Sequence, residues 1–409
     1  MIYFIFYFFL ILIISEVILQ GVVRYLHKDF QWLITEKDEY PRFDKKALKK
    51  FFKNSFDQEL GWVRKPNSKG IENGIHGNIE FHIDANGSRK NTIKKSVSVV
   101  SFGDSYTFCR QVEDNQTWQV FLSKKLNRKV LNFGVGNYGI DQALLYYKRQ
   151  SLPPSTKIVI LGFVPETICR IQSYWKHYLE FGNTFAFKPR YTLNNNNLVL
   201  HNNPIKKIND FDSIVEIIES IKNTDRFYKT KFRHVQFRFP YLIKFFVNFK
   251  RNVILLFLLI KKLIFNIFKA SNTTIDNDPF SKIMIDNIKD AHSMYQDKDA
   301  LELLEAILLE FRDEAYKRGH QPLVLVMPQL IDLKIIDKLG INPYEKFFDQ
   351  LNKKIPVLDI TKYMDKKVIG NLYAEDVYGG HFSVYGNELV ADKLQDYLIK
   401  MGEHEKNIS

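Results

Sequence analysis

Ser96-Val-Ser-Val-Val-Ser-Phe-Gly-Asp-Ser-Tyr106 is a short β-branched run that stops at a Gly-Asp-Ser turn. A run of this length and composition predicts a buried strand, and a helical pattern follows it through Lys125. Further along, Lys129-Val-Leu-Asn-Phe133 predicts a second strand, ending in the turn Gly134–Gly139 and followed by a helix over Gln142–Gln150. Lys157-Ile-Val-Ile-Leu-Gly162 predicts a third, closed by Phe163-Val-Pro-Glu-Thr-Ile168. The alternation lapses after residue 170. It resumes with a helix at Ala300–Arg318, whose Leu301, Leu304, Ile307, Leu308 and Phe311 share one face. Pro322–Met327 and Ile355–Ile360 predict two more strands, and a helix over Gly386–Met401 closes the chain. Five apolar strands separated by helices predict an α/β fold with a flavodoxin-like, doubly wound, parallel five-stranded sheet. The chemistry of such sheets sits in loops beyond the carboxyl ends of the strands.

The chain has 409 residues, enough for one large domain or two ordinary ones. With 45% hydrophobic and 26% charged residues, it reads as mainly globular, which excludes a disordered tail and a multi-pass transporter. Two cysteines, Cys109 and Cys169, exclude a disulfide scaffold and a four-cysteine zinc site; one bridge or two thiols remain open. With 59 basic and 46 acidic residues the net charge is +13, which favours an anionic lipid surface, an acidic glycan or nucleic acid as partner.

Met1–Val23 is almost wholly apolar, interrupted by Ser15, Glu16, Gln20 and Gly21, and Arg24, His27 and Lys28 follow. About 20 apolar residues span a bilayer as a helix. A cleaved signal peptide is the rival, but it normally has a basic n-region and a small-residue cleavage site, and neither is visible. The expected organisation is a transmembrane anchor at 1–23, a juxtamembrane and leader segment at 24–95, and a main domain at 96–402 with a helical insertion at about 171–298. Lys45, Lys46, Lys49, Lys50 and Lys53 lie downstream of the anchor and would keep that side cytoplasmic by the positive-inside tendency.

Ser105, at a strand-to-helix turn, points its hydroxyl out of the sheet, where its own N–H can face a developing oxyanion. Far downstream, Asp376-Val-Tyr-Gly-Gly-His381-Phe-Ser383 places a histidine in a loop at the same sheet edge, where it can act as general base. Each has a plain alternative: a helix N-cap for the Gly-Asp-Ser turn, a packing residue for the histidine.

Together these residues resemble the SGNH (GDSL-type) hydrolases, over residues 96–170 and 320–400. Gly103-Asp104-Ser105 matches that family's nucleophile block, and Asn132–Gln142 looks like its second. Leu161–Thr167 stands in the place of the third, and His381 in that of the fifth. Asp57-Gln-Glu-Leu-Gly-Trp62 and Ile83-Asp-Ala-Asn-Gly-Ser-Arg89 also resemble the leader of membrane-attached members found with surface-polysaccharide genes.

The resemblance implies Ser105 as nucleophile and His381 as base. The family's acid lies three residues before the histidine, where this chain has Tyr378; Asp376 is the nearest carboxylate, and a backbone carbonyl is the alternative. The implied oxyanion donors are the Ser105 N–H, the N–H of Gly136 or the group at Asn137, and Thr167, since the third-block asparagine falls on Glu166 or Thr167. Arg170 is a substitute donor. The implied activity is ester hydrolysis on an O-acylated cell-surface carbohydrate, with the domain facing outward, opposite to the lysine tendency. An O-acyltransferase, a lipid-directed esterase and a non-catalytic glycan-binding or assembly member are the alternatives.

One block is left over. Tyr241–Lys269 is apolar, with Lys244, Asn248, Arg251, Lys262, Asn266 and Lys269 recurring at helical spacing. That pattern predicts a helix with one basic stripe and a broad apolar face, suited to the membrane interface, or else a core helix or partner surface. His76 and His82 have no metal-ligand spacing, and no phosphate-cradling glycine loop occurs, so no metal or cofactor is expected. The basic residues between Lys231 and Lys250 are read as lipid-facing, with no nucleic-acid partner; the oligomeric state is left open.

Overall fold

The computed structural model describes residues 1–27, 30, 33–74, 77–267, 279–364, 369–374 and 380–408. Lys28, His76, Lys269, Asp376 and Tyr378 lie outside them. The chain forms two units that interleave along the sequence: one comprises 1–51, 172–187 and 204–287, the other 52–171, 188–203 and 288–409.

The second unit is built on five strands: β1 Val97–Gly103, β2 Lys129–Gly134, β3 Ile158–Phe163, β4 Gln321–Val326 and β5 Val357–Asp359. All pairings are parallel, in the order 2-1-3-4-5. The five strands expected from the sequence are therefore present in one mixed α/β unit. Each reads as an almost continuous apolar run because both faces are covered, and Val100, Phe102, Val130, Ile160, Val324 and Leu325 have no appreciable exposure. Register aligns the carboxyl ends, pairing Gly103 with Gly134 and Phe163 with Val326. The strand order reverses beside β1, so β2 and β3 flank it on either side.

Helix Lys298–Lys317 buries Leu304, Ile307, Leu308 and Phe311 against the sheet side, matching the expected apolar face, whereas Leu301 is only half-buried. Helix Ile140–Arg149 packs on β1 and β3, setting Tyr146 edge-on and Tyr147 tilted against Phe102. The closing helix, Val384–Ile408, runs against helix Trp118–Leu126.

One expected helix is broken. The pattern from Ser105 to Lys125 is two helices, Ser105–Phe108 and Trp118–Leu126. Cys109 and Gln111 adopt left-handed backbone, with φ of 61° and 69°, which ends the first helix. Thr117 restarts the second by accepting the Val120 N–H.

In the other unit, helix Ile2–Leu26 is the one described helix long and apolar enough to cross a membrane. The apolar block is two helices, not one. Tyr241–Val247 and Phe249–Ile267 are separated at Asn248, whose backbone leaves the helical region.

Candidate active site

Three glycines at the strand ends let the nucleophile turn sit directly on the sheet. A Cβ on Gly103 or Gly162 would fall 2.1 or 1.9 Å from the Thr107 hydroxyl oxygen, and one on Gly134 2.2 Å from the Phe108 backbone nitrogen. No side chain fits at these positions without moving helix Ser105–Phe108. Asp104 caps that helix, accepting the N–H groups of Tyr106 at 2.8 Å and Thr107 at 3.4 Å. The Ser105 N–H is not taken by this cap and belongs to the first turn, where amides have no intrahelical acceptor. Burial pushes Asp104 up to about 6, and Glu166 adds to the rise; Arg170 and the two capped N–H groups pull the other way.

His381 Nε2 lies 2.8 Å from Ser105 Oγ. The histidine is held on several sides. Its carbonyl accepts from Ala374 N–H at 2.7 Å, and the Tyr106 hydroxyl donates to the adjacent Gly380 carbonyl at 2.8 Å. The Tyr106 ring also packs 4.8 Å from the imidazole, centroid to centroid. Phe382 anchors the loop in the core beside Tyr106 and Tyr373.

The orienting group is one the sequence reading missed. Gln111 Oε1 lies 3.1 Å from His381 Nδ1 and accepts the His381 backbone N–H at 2.8 Å. An amide oxygen facing both groups assigns the proton to Nδ1 and leaves Nε2 as an acceptor for the serine. Asp376, the expected acid, lies outside the described residues. Thr117 before Trp118 is an N-cap that signals a loop upstream, but nothing in the sequence singles out Gln111 within it.

The loop carrying Gln111 is clamped from the leader segment. Buried Arg89 donates to the carbonyls of Phe108 at 2.8 Å, Cys109 at 2.7 Å and Val112 at 2.6 Å, and to Asp114 at 2.8 Å. Its own backbone N–H donates to the Asn132 carbonyl at 2.7 Å, tying the leader to β2. Nearby, buried Glu72 accepts from Arg64 at 2.6 Å and from Arg110 at 2.8 Å.

His381 retains part of its surface, yet removal from solvent, with the charges of Arg110 and Arg170, drives it down to about 3. It is a neutral imidazole at physiological pH.

The second-block turn follows β2. The Val135 N–H binds the Gly103 carbonyl at 3.0 Å, and Tyr138 N–H closes onto Val135 at 3.3 Å. Gly136 and Asn137 are the middle residues, both half-buried, with Asn137 at φ 68°. Trp62 Nε1 donates to the Gly136 carbonyl at 3.0 Å, and Gln142 Nε2 reaches the Leu60 carbonyl at 2.6 Å. The leader segment therefore braces this turn too.

Thr167 corrects the expectation drawn for it. Its hydroxyl donates to the Val164 carbonyl at 2.6 Å, and its N–H goes to the same oxygen at 2.8 Å. Both donors are spent inside the turn Pro165–Gln172 makes after β3. Glu166 pairs with Arg170 at 2.8 Å, and Arg170 also donates to the Tyr138 carbonyl at 3.0 Å. The cysteines are both buried thiols, not a bridge: Cys109 Sγ faces Gln119 Oε1 and Cys169 Sγ faces Met294 Sδ.

The arrangement is a serine hydroxyl on a neutral imidazole acceptor, which is the hydrogen-bonded pair that nucleophilic acyl chemistry needs. No protein-family model matches the chain, and no curated protein matches it. Among solved structures, a protein from Desulfitobacterium hafniense DCB-2, provisionally described as a lipolytic protein of the G-D-S-L family, aligns with 74% of this chain and 99% of its own. The two share 12% identity at a TM-score of 0.31.

Proposed function

We propose that this protein is a membrane-anchored serine esterase with the flavodoxin-like, doubly wound sheet of the SGNH hydrolases. The observation that carries the reading is the 2.8 Å contact from Ser105 Oγ to His381 Nε2, with Nδ1 turned to Gln111. His381 takes the Ser105 proton as Oγ attacks the ester carbonyl, and gives it to the departing alkoxide. Water then attacks the acyl-Ser105 ester, losing its proton to His381, which returns it to Ser105 Oγ as the carboxylic acid leaves. The oxyanion is received by the Ser105 N–H and by the turn at Gly136 and Asn137. Gln111 holds the imidazole in place and in its tautomer.

The substrate class is an O-acylated carbohydrate of a cell-surface polymer, with the anchor spanning once and the second unit outside the cytoplasm. The net positive charge suits an acidic polymer. If a sugar hydroxyl replaces the water, the same steps make an O-acyltransferase.

A non-catalytic glycan-binding or assembly role is the second reading, favoured by Thr167. With its donors spent on Val164, the site has one fewer group for the oxyanion, and a lost donor costs about 10²–10³ in rate. Fluorophosphonate labelling of the purified full-length protein separates the two. Labelling that vanishes in both Ser105→Ala and His381→Ala is expected; a folded wild type that stays unlabelled overturns the esterase reading.

A further inference from the structure

Soluble helices turn their apolar face inward, and helix Phe249–Ile267 does not follow that rule. Asn252, Leu255, Leu258 and Leu259 are buried, yet Phe249, Val253, Phe257, Ile260 and Ile264 recur at helical spacing on the opposite, exposed side. The apolar surface continues onto the preceding helix, where Ile243, Phe246 and Val247 are exposed, and onto Phe239, 73% exposed. A patch of this extent on a folded unit marks an interaction surface.

Three observations say what covers it. First, the block is packed on the candidate membrane-spanning helix. Val23 shares a buried cluster with Leu255 and Leu259. Second, Glu16, inside that apolar helix, accepts the backbone N–H groups of Tyr241 at 2.7 Å and Leu242 at 2.9 Å. A carboxylate inside a spanning segment needs such partners, because lipid offers none. Glu16 lies ten residues before Leu26, about 15 Å back along the helix at 1.5 Å per residue. If the twenty residues from Ile2 to Gly21 cross the hydrocarbon, Glu16 is about 8 Å inside its edge. Interfacial helices bury their apolar face about 5–10 Å into this boundary. Third, the stretch from Arg226 to Ile267 has ten Lys or Arg and no Asp or Glu. Arg251, Lys261 and Lys262 are half-buried beside the apolar face, where long basic side chains reach anionic headgroups.

We propose that residues 239–264 form a wedge in the bilayer interface reached by the carboxyl end of the anchor, at a depth set by Glu16. This rests on reading Ile2–Leu26 as membrane-spanning, and not on the esterase activity. The occupant is phospholipid because the exposed apolar surface belongs to a segment joined to a helix that itself needs lipid around it.

The test uses full-length protein in phosphatidylcholine–phosphatidylglycerol vesicles at a three-to-one ratio. Nitroxides are placed through Val253→Cys, Phe257→Cys and Ile260→Cys; the native thiols are buried. Ile11→Cys reports the anchor, and Val199→Cys, on an exposed hairpin, is the comparison position. The oxygen-to-nickel accessibility ratio at the three wedge positions is expected to exceed that at 199 by about tenfold. Glu16→Leu is expected to bring position 257 toward the surface while position 11 stays buried in lipid. Wedge labels as open to nickel as position 199, with position 11 still in lipid, overturn the wedge and leave the anchor standing. A water-exposed position 11 overturns both. Wedge labels shielded from oxygen and nickel alike mean that a second copy or another protein covers the face, which also overturns the proposal. An unchanged depth in Glu16→Leu removes Glu16 as the depth-setting contact.

Discussion

The turn around Ser105 and the block at 239–264 invert each other. The first buries polar groups: Asp104, Ser105, Thr107 and Arg89 are all under 9% exposed, and hydrogen bonds offset the cost for the cap and the clamp. The second exposes phenylalanine, valine and isoleucine among the described residues. Folding alone rewards neither arrangement. Buried polar groups mark where orientation matters, and exposed apolar ones mark where a non-aqueous surface is met. Substitutions in the two regions should therefore fail in opposite ways.

The largest expected effect is chemical. Ser105→Ala and His381→Ala should each lower hydrolysis of a nitrophenyl ester at least about 10³-fold with folding intact. Retained turnover in either would show that the polar turn is structural and would dissolve the contrast.

Next in size is Arg89→Met. It strands three loop carbonyls and Asp114, and should cost about 3–5 kcal/mol of stability in urea unfolding. A loss under about 1 kcal/mol would mean that the leader segment does not hold the Gln111 loop.

Gln111→Ala should lower kcat about 10–100-fold, whereas Gln111→Glu should retain more activity and change its pH dependence. On the esterase reading only neutral His381 serves as base, and its depressed value near 3 keeps it neutral through mild acid. The acid limb should therefore lie far below 6.5, and a carboxylate at position 111 should move it upward by favouring the imidazolium. The same shift affects stability. Between 6.5 and about 3 the unfolded chain binds the proton and the folded one does not, so His381's contribution is complete above 6.5 and is lost as pH falls toward 3. A wild-type acid limb near 6.5 would contradict this.

The smallest folding effect belongs to the other region. Phe257→Ser, at a 64% exposed position, should change stability in detergent by no more than about 0.5 kcal/mol. A loss comparable to that of Arg89→Met would place Phe257 in a protein core and erase the distinction between the regions.

The periodicity of the sequence was enough to determine the five strands and the helix Lys298–Lys317, because apolar runs closed by glycine turns encode burial locally. Ser105 and His381 stood out by their turns and by the family resemblance, each with an ordinary alternative as cap or packing residue, and it is the fold that brings their side chains to 2.8 Å. Gln111 was not legible: glutamine has no catalytic signature, and a left-handed backbone at Gln111 brings its amide to a residue 270 positions away. Thr167 was misread for a related reason. Its identity suggested a donor, and only the turn after β3 shows the hydroxyl bonded to Val164. The apolar block announced itself by composition, but which face stays uncovered depends on where Glu16 and Val23 hold it. Local pattern specifies which groups are buried; the partner of each polar atom is a long-range choice that only the packed chain makes.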